Sequence, residues 1–147
     1  MYLEDITDKN REEALTLQIK PEQIGFIESV EECLKESEEL SLWRPVGIYE
    51  DDKMIGFAMY GQWYEEECER VWLDRFLIDQ RYQNQGLGRQ ALRTLITYIL
   101  LEYGCEKIYL SLYKDNTHAL KLYESLGFYF TQEKDIHGEE VMVLDVF

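Results

Sequence analysis

Two hydrophobic periods run along the chain, and each predicts a different type of element. Short apolar runs rich in β-branched and aromatic residues predict strands over 2–6, 46–50, 54–63, 71–78, 107–113, 128–135 and 140–146. Apolar residues at steps of three and four predict helices over 11–17, from 21 onwards, over 87–103 and over 116–126. This mixed order predicts an α/β fold with a central mixed β-sheet of about seven strands flanked by about four helices.

The stretch between the fourth predicted strand and the third predicted helix carries the strongest signal for a site. A polar segment at 83–88, with the sequence QNQGLG and here named the glycine turn, joins the strand to the helix. Backbone N–H groups at a helix start have no internal partner, and the helix dipole is positive there. Two glycines let an anion approach that backbone without a Cβ in the way. The glycine turn is therefore predicted to bind a pyrophosphate.

Two other phosphate-binding motifs fit this turn less well. The chain lacks the G-x-x-x-x-G-K-[ST] spacing of a P-loop. Gly86, Gly88 and Ala91 match the dinucleotide fingerprint, which expects a glycine tight against the strand end and an acid about 20 residues later at the tip of a second strand. Here residues 81–85 separate the strand from the glycine, and Glu106, the acid at that distance, precedes its strand. The pattern therefore disfavours a dinucleotide site.

Gln83, Gly86 and Gly88 match the signature [Q/R]-x-x-G-x-[G/A], and in this the chain resembles the GNAT acetyltransferase superfamily. The preceding segment at 77–82 resembles the strand end of the same family, and the segment N-x-x-A-x-x-x-Y-x-x-x-G-F at 116–128 resembles its later helix and strand. The three elements occur in the right order and at the right distances. Segments 23–29, 45–47, 56–61 and 73–76 extend the resemblance to the bacterial diamine and polyamine (spermine/spermidine) N-acetyltransferases. The resemblance implies a GNAT-like fold and an acetyl-CoA-dependent N-acetyltransferase.

Acetyl-CoA is the acetyl donor that the resemblance implies, with no metal. The backbone of Leu77 and Ile78 would pair with the pantetheine arm and donate an N–H to the thioester oxygen, which requires a strand splayed from its parallel neighbour. Asn116 would reach the pantetheine or serve as a plain helix cap, and both roles are compatible. The residues expected to contact the cofactor are Leu77, Ile78, Asp79, Gln83, Asn84, Gln85, Gly86, Leu87, Gly88, Arg89, Asn116, Ala119 and Tyr123. Arg81 and Arg93, with Arg89, flank the turn where phosphates would need them.

By the same resemblance, Tyr123 is the general acid that protonates the coenzyme A thiolate, and a phenol with a pKa of about 10 suits that transfer. A polyamine nitrogen of similar pKa is protonated at neutral pH, so a base must remove a proton before the attack. Asp74 and Glu28 are the candidates for holding and deprotonating the amine, directly or through a water. The alternatives are a buried aromatic role for Tyr123, an ion pair of Asp74 with Arg75 or across the strands, and a solvated helix face for Glu28.

The net charge of −15 is unevenly placed along the chain. Residues 1–70 carry 19 acids and 7 bases, whereas residues 71–147 carry 11 acids and 8 bases. Such a field repels nucleic acids and attracts small cations, so the expected partner is a small cationic amine. Solubility alone is the other explanation of an acidic chain. The near-neutral half is the one expected to hold the anionic coenzyme.

The remaining features set the class of protein. At 147 residues the chain is expected to be a single acetyltransferase domain over 1–147, with a possible homodimer by resemblance. Its three widely spaced cysteines, the lack of a signal-peptide pattern and the lack of a long apolar run predict a cytoplasmic protein that makes no use of a membrane. His118 and His137 lie outside the catalytic motif positions. The alternative functions are acetylation of another amine (an aminoglycoside, an amino acid or a protein N-terminus) and a non-catalytic acyl-CoA-binding sensor.

Overall fold

A computed structural model of the chain describes residues 1–23, 28–65 and 68–146. In this part of the chain, seven strands form one mixed sheet in the order β1-β2-β3-β4-β5-β7-β6. The strands are β1 Tyr2–Asp5, β2 Arg44–Glu50, β3 Lys53–Glu65, β4 Cys68–Ile78, β5 Lys107–Leu112, β6 Tyr129–Lys134 and β7 Glu140–Asp145. The α-helices are α1 Arg11–Leu15, α2 Val30–Glu39, α3 Leu87–Tyr103 and α4 Thr117–Ser125. The predicted mixed α/β architecture is confirmed.

The two faces of the sheet carry different helices. Successive residues of a strand point to opposite faces, and residues 57–60 of β3 follow that rule. Ala58 and Tyr60 belong to the apolar cluster that contains the buried stripe of α3, whereas Phe57 and Met59 belong to the cluster that contains Ala14 of α1 and Leu34 of α2. Helices α3 and α4 therefore cover one face, and α1 and α2 cover the other.

The prediction that the second helix begins at Pro21 is wrong. Residues Pro21–Gln23 form a short 3₁₀ turn, and α2 begins at Val30. Ser29 caps it, because its hydroxyl oxygen accepts the N–H of Glu32 at 3.2 Å and its O–H donates to the Glu32 carboxylate at 3.0 Å. Residues 24–27, which belong to the predicted helix, lie outside the described residues, as do residues 66 and 67.

Strand β4 is irregular on both of its sides. Against β3, Met59 pairs with Arg75 and Tyr60 pairs with Leu73, so Asp74 is the extra residue of a β-bulge. Against its parallel neighbour β5, the register contains a single pair, Trp72 with Tyr109. Beyond that pair the two strands diverge towards their carboxyl ends. The splay required by the predicted cofactor contacts is present.

No helix among the described residues combines the length and the apolar character that crossing a bilayer requires.

Candidate active site

The opening between β4 and β5 leads into a cleft of about 1780 Å³. Its walls come from α2, β4, the glycine turn, β5, α4 and the hairpin between β6 and β7. Residues far apart in sequence meet there, because the two strands part at the centre of the sheet and no strand fills the gap. The cleft contains most of the predicted site residues: Glu28, Asp74, Leu77, Ile78, Gln83, Asn84, Gly86, Gly88, Arg89, Asn116, Ala119 and Tyr123.

Two residues with left-handed backbone conformation and the hydrogen bonds of one glutamine side chain determine the shape of the glycine turn. Gly86 has φ 79° and Asn84 has φ 62°, values that glycine and asparagine tolerate better than other residues. Gln83 donates from Nε2 to the carbonyl oxygen of Ile78 at 2.8 Å, and its amide exchanges two 3.0 Å hydrogen bonds with the amide of Gln23. The side chain of Gln83 therefore ties the turn to the end of β4.

The first turn of α3 presents its N–H groups to the cleft. Gln90 is the residue whose N–H reaches back to the carbonyl of Gly86, at 3.4 Å. The N–H groups of Leu87, Gly88 and Arg89 precede it, and a helix offers such groups no internal acceptor. Together with the helix dipole they form a site suited to an anion.

Charged side chains near the glycine turn are engaged with the protein itself. Asp79 is 1% exposed, and its carboxylate accepts the backbone N–H of Gln18 at 3.0 Å and both the N–H and Nε–H of Arg81 at 2.9 and 2.8 Å. These hydrogen bonds keep the pKa of Asp79 below its ordinary value although burial opposes them. Arg89 lines the cleft and donates to Ser125 at 2.8 Å, while Arg93 is exposed on α3. Asp79 therefore positions the turn, and Arg89 is the arginine placed beside it.

The end of β4 offers one backbone donor to the opening. The N–H of Asp79 donates to the carbonyl of Ile55 on β3 at 2.8 Å. Because N–H groups alternate between the two sides of a strand, Leu77 also faces β3 and Ile78 faces the opening. The carbonyl of Leu77 agrees with this, since a Cβ added to Gly56 of β3 would lie only 2.5 Å from it. Of the two predicted backbone donors, Ile78 is the one directed into the cleft.

Helix α4 begins at the other wall of the opening. Asn116 occupies its N-cap position, but its side chain makes no capping hydrogen bond, so the amide is left for other partners. Ala119 and Tyr123 follow one and two turns later and line the same cleft. Tyr123 is 9% exposed and packs edge-on against Phe128, with ring centroids 5.7 Å apart. Burial raises the pKa of Tyr123 above its ordinary value, so the phenol stays protonated at neutral pH.

Three carboxylates surround one arginine in the middle of the cleft, and we name Glu28, Glu36 and Asp74 the acid cluster. Arg75 donates from Nη2 to Glu28 at 2.7 Å and to Glu36 at 3.3 Å. Its Nη1 lies 3.0 Å from Asp74 Oδ2 but donates to the Asp74 backbone carbonyl at 2.8 Å. The β-bulge brings the side chains of Asp74 and Arg75 together, where a regular strand would point them to opposite faces.

Asp74 is the carboxylate with the most perturbed environment in this group. Its Oδ2 is buried and accepts no hydrogen bond from any residue that the structure describes. Burial raises the pKa of Asp74 to about 6; Arg75 opposes the rise, and the nearby Glu36, Glu28 and Glu139 add to it. A carboxyl group with a pKa near neutrality is suited to accepting a proton and releasing it again. The ion pair with Arg75 and the proposed role as proton acceptor are both compatible with this position.

Sequence reasoning missed three polar residues on the far wall. The hydroxyl of Ser111 on β5 lies 2.9 Å from Asp135 Oδ2 and 2.9 Å from Glu139 Oε2, so one hydroxyl proton is shared between two carboxylates. Burial raises the pKa of Glu139 above its ordinary value. A serine within the apolar run of β5 was the available signal. His118 and His137, set aside on sequence grounds, are exposed residues at the edge of the cleft.

The sequence matches the acetyltransferase (GNAT) family over residues 4–128, and the chain therefore belongs to that family. This confirms the resemblance read from the glycine turn. The family match includes α2, β4, the glycine turn, β5 and α4, but not the hairpin between β6 and β7.

Among individual relatives, the chain is 44% identical over 145 residues to spermine/spermidine N(1)-acetyltransferase of Bacillus subtilis (strain 168), covering 96% of this chain and 95% of that protein. Its fold is similar to aminoglycoside acetyltransferase AAC(6')-Ib in complex with coenzyme A (TM-score 0.75, 17% identity, 99% of this chain and 94% of that chain). It is also similar to spermidine N-acetyltransferase from Vibrio cholerae in complex with CoA and spermine (TM-score 0.73, 17% identity, 98% and 94%). At such identities the solved structures establish the fold alone.

Proposed function

We propose that this acetyltransferase transfers the acetyl group of acetyl-CoA to a primary amine of a diamine or polyamine of the spermine/spermidine type. The observation that carries the proposal is the buried Asp74, which lies with Glu28 and Glu36 around Arg75. Burial raises the pKa of Asp74 to about 6, and the nearby carboxylates add to that rise. Glu28, Glu36 and Glu139 all act on it electrostatically, and their negative charge favours a ligand with more than one positive charge. The activity named for the Bacillus subtilis relative supports the same substrate class.

The acid cluster would hold the amine and prepare it for attack. A protonated nitrogen 4 Å from the Asp74 carboxylate is attracted to it by about 4 kcal/mol for an effective dielectric near 20, before the cost of desolvation. Asp74 then accepts a proton from it, directly or through a water, which leaves the nitrogen lone pair free. Glu28 contributes charge, although its Oε2 is already bonded to Arg75. Asp74 is accordingly the proposed base, and Glu28 a substrate-holding residue.

The opposite end of the cleft fits the acetyl donor. The N–H groups at the start of α3 suit a pyrophosphate. The side-chain amide of Asn116, which makes no capping hydrogen bond, and the open edge of β4 suit the amide groups of the extended pantetheine arm. When bound, acetyl-CoA supplies an acetyl group activated as a thioester. The Ile78 N–H would stabilise negative charge on the carbonyl oxygen, a contribution of about 3–4 kcal/mol in comparable sites. Tyr123 would protonate the sulfur as the C–S bond breaks, and it would regain a proton from the newly acetylated nitrogen, directly or through a water.

Direct attack of the amine within a ternary complex is the favoured route. Cys33 is the described cysteine closest to the acid cluster, and it is fully buried with a pKa raised to about 12. A thiol in that state is a poor nucleophile at neutral pH, because the thiolate is the reactive form. This supports transfer without an acetylated enzyme.

An amine panel tests the proposal. Release of coenzyme A thiol is measured with spermine, spermidine, putrescine, an aminoglycoside and lysine-containing peptides, and the polyamines should give the highest kcat/KM. Faster turnover of the aminoglycoside or the peptides would contradict the substrate class and favour another amine. Tight acetyl-CoA binding by calorimetry without turnover of any amine would favour the acyl-CoA-binding sensor instead.

A further inference from the structure

The chain contains three tryptophans, and all three line the cleft. We name Trp43, Trp63 and Trp72 the tryptophan wall. Trp43 and Trp63 are stacked, with ring centroids 6.2 Å apart and 15° between their planes. Trp43 is 8% exposed, whereas Trp63 and Trp72 are only half-buried and keep part of their surfaces open. The established family fold and the roles proposed above make no use of this wall.

The fold builds the wall at the crossing of three segments. Trp63 lies on β3, Trp72 lies on β4 opposite Gly61, and Trp43 directly precedes β2. Gly61 is needed for close approach, because a Cβ there would lie 2.8 Å from the Trp43 ring and 2.6 Å from the carbonyl oxygen of Leu42. The wall therefore depends on a missing side chain in the middle of a strand, a position where glycine otherwise weakens a sheet.

The order of features along β4 sets the distances. The strand ends at Ile78 before the glycine turn, Asp74 lies in its middle, and Trp72 precedes Asp74 by two residues. At about 3.3 Å per residue, Trp72 starts roughly 7 Å from Asp74. Trp63 pairs with Arg70, which is roughly 13 Å from Asp74 by the same rise. The wall thus lies on the side of Asp74 that faces away from the cofactor end of the cleft.

Trp72 and Arg75 share one face of the sheet. Asp74 is the extra residue of the β-bulge, so residues before and after it that are an odd number of positions apart can share a face. Trp72, Arg75 and Leu77 therefore all point towards α1 and α2. An extended chain whose reacting nitrogen is beside Asp74 would consequently run along β4 and over the tryptophan wall. Indole faces pack against methylene groups and attract an ammonium more strongly than other aromatic rings do.

A plain packing role explains the wall less well. The indole N–H of Trp43 is buried and has no acceptor among the residues that the structure describes. An unpaired buried donor is unfavourable, and phenylalanine or leucine would fill the same space without one. What tryptophan adds over these residues is its larger and more negative ring face.

We propose that the tryptophan wall is the subsite for the distal aminoalkyl arm of a polyamine, and that it selects long polycationic amines over short ones. This inference rests on the proposed function. Methylene groups of the arm would pack on the rings, and the distal ammonium would lie over an indole face. Asp74 and the acid cluster would act on the reacting nitrogen of any amine, whereas the wall would act only on a substrate long enough to reach it.

Trp63→Leu provides the test with amines of increasing length: ethylamine, 1,3-diaminopropane, spermidine and spermine. The KM for spermine and spermidine should rise about tenfold, within the range of one partly desolvated cation–π contact, while the KM for the two short amines changes less than about twofold. Tyr64→Leu is the matched control, because Tyr64 is the next residue on β3 and is 72% exposed; it should change neither. Equal losses for short and long amines would overturn the proposal.

Trp63→Phe keeps the test decisive if the leucine variant folds poorly. It preserves an aromatic face of lower negative charge, so the KM should rise about two- to fivefold, again for the long amines alone. Unchanged spermine kinetics in this folded variant, together with unchanged binding, would also overturn the proposal.

Intrinsic tryptophan fluorescence separates this inference from the proposed function. Without acetyl-CoA, spermine should change the emission of the wild-type protein, ethylamine should not, and Trp63→Leu should weaken the spermine response. A wild-type protein that shows this response but acetylates no polyamine would contradict the proposed function and leave the subsite standing. Normal polyamine turnover with no length-dependent response would contradict the subsite alone.

Discussion

The glycine turn and the acid cluster lie at two ends of one cleft but are built in opposite ways. The turn is a continuous segment, and its binding groups are backbone N–H donors exposed by a left-handed Gly86 and a helix start. The acid cluster is made of side chains from the segment before α2, from α2 itself and from the bulge of β4. A site made of backbone needs one local conformation, whereas a site made of side chains needs several elements packed correctly.

This difference predicts where each region is vulnerable. Substitutions in the acid cluster should change amine kinetics and leave acetyl-CoA binding intact, because the two sets of groups are separate. Substitutions in the glycine turn should act through backbone conformation and affect the coenzyme alone. Tyr123 lies between the two regions and should affect the chemical step more than either binding event.

The largest effect is expected for Asp74→Asn. An amide cannot accept the proton of the amine, so kcat/KM for spermidine should fall about a thousandfold, in line with the loss of a general base. Calorimetry should give an acetyl-CoA Kd within about twofold of the wild type. Glu38→Gln is the matched control, since Glu38 lies on α2 with 64% of its side chain exposed and forms an ion pair with Arg11, away from the acid cluster. Full activity of Asp74→Asn would remove Asp74 from the mechanism.

Tyr123→Phe should have the next largest effect. Loss of the phenol proton should lower kcat about a hundredfold while the KM for both substrates stays close to the wild-type value. The buried ring and its contact with Phe128 are retained, so thermal unfolding should change little. An unchanged kcat would show that a solvent molecule, and not Tyr123, protonates the departing thiolate.

Gly86→Ala should weaken acetyl-CoA binding about tenfold, because a left-handed conformation costs an alanine about 1–2 kcal/mol. Gly104→Ala is the matched control: Gly104 is left-handed at the opposite end of α3, and an added Cβ meets no atom within 4 Å at either glycine. Differential scanning calorimetry should show similar falls in Tm for both variants. Equal losses of acetyl-CoA affinity would show that the effect comes from general destabilisation.

The smallest expected effect is a shift of the pH profile. Asp74 accepts a proton only when ionised, so kcat/KM should rise as the pH increases through about 6, the pKa of this buried carboxyl. Arg75 lowers that pKa, whereas Glu28, Glu36 and Glu139 raise it. Arg75→Met should therefore raise the pKa of Asp74. The acidic limb of the profile, which is the low-pH range where kcat/KM rises, should move to higher pH by about one pH unit.

The control for this shift is Arg11→Met, which removes an arginine from an exposed ion pair with the same helix, α2. It should leave the acidic limb in place. NMR titration of the Asp74 carboxyl carbon, assigned with Asp74→Asn, measures the pKa without turnover. If the acidic limb moves in Arg75→Met while the pKa measured from the Asp74 resonance does not change, another group is responsible for the limb.

Local patterns accounted for the elements and for one end of the site. Period-two and period-three-to-four hydrophobic runs predicted the strands and helices, and the glycine spacing predicted the turn before α3. Ser29 shows the limit of such patterns: a capping residue eight positions after Pro21 moved the helix start, although the proline is itself a good first-turn residue.

The amino-acid sequence by itself determined the mixed sheet, the family and the backbone of the glycine turn, because these depend on short-range periodicity and on glycine stereochemistry. Only the tertiary structure decided that β4 parts from β5 after Trp72, that a bulge turns Asp74 towards Arg75, and that three tryptophans line one cleft. The physical reason is range: splay, burial and the resulting pKa of a carboxyl arise from residues far apart in the chain, and no local pattern encodes their distances.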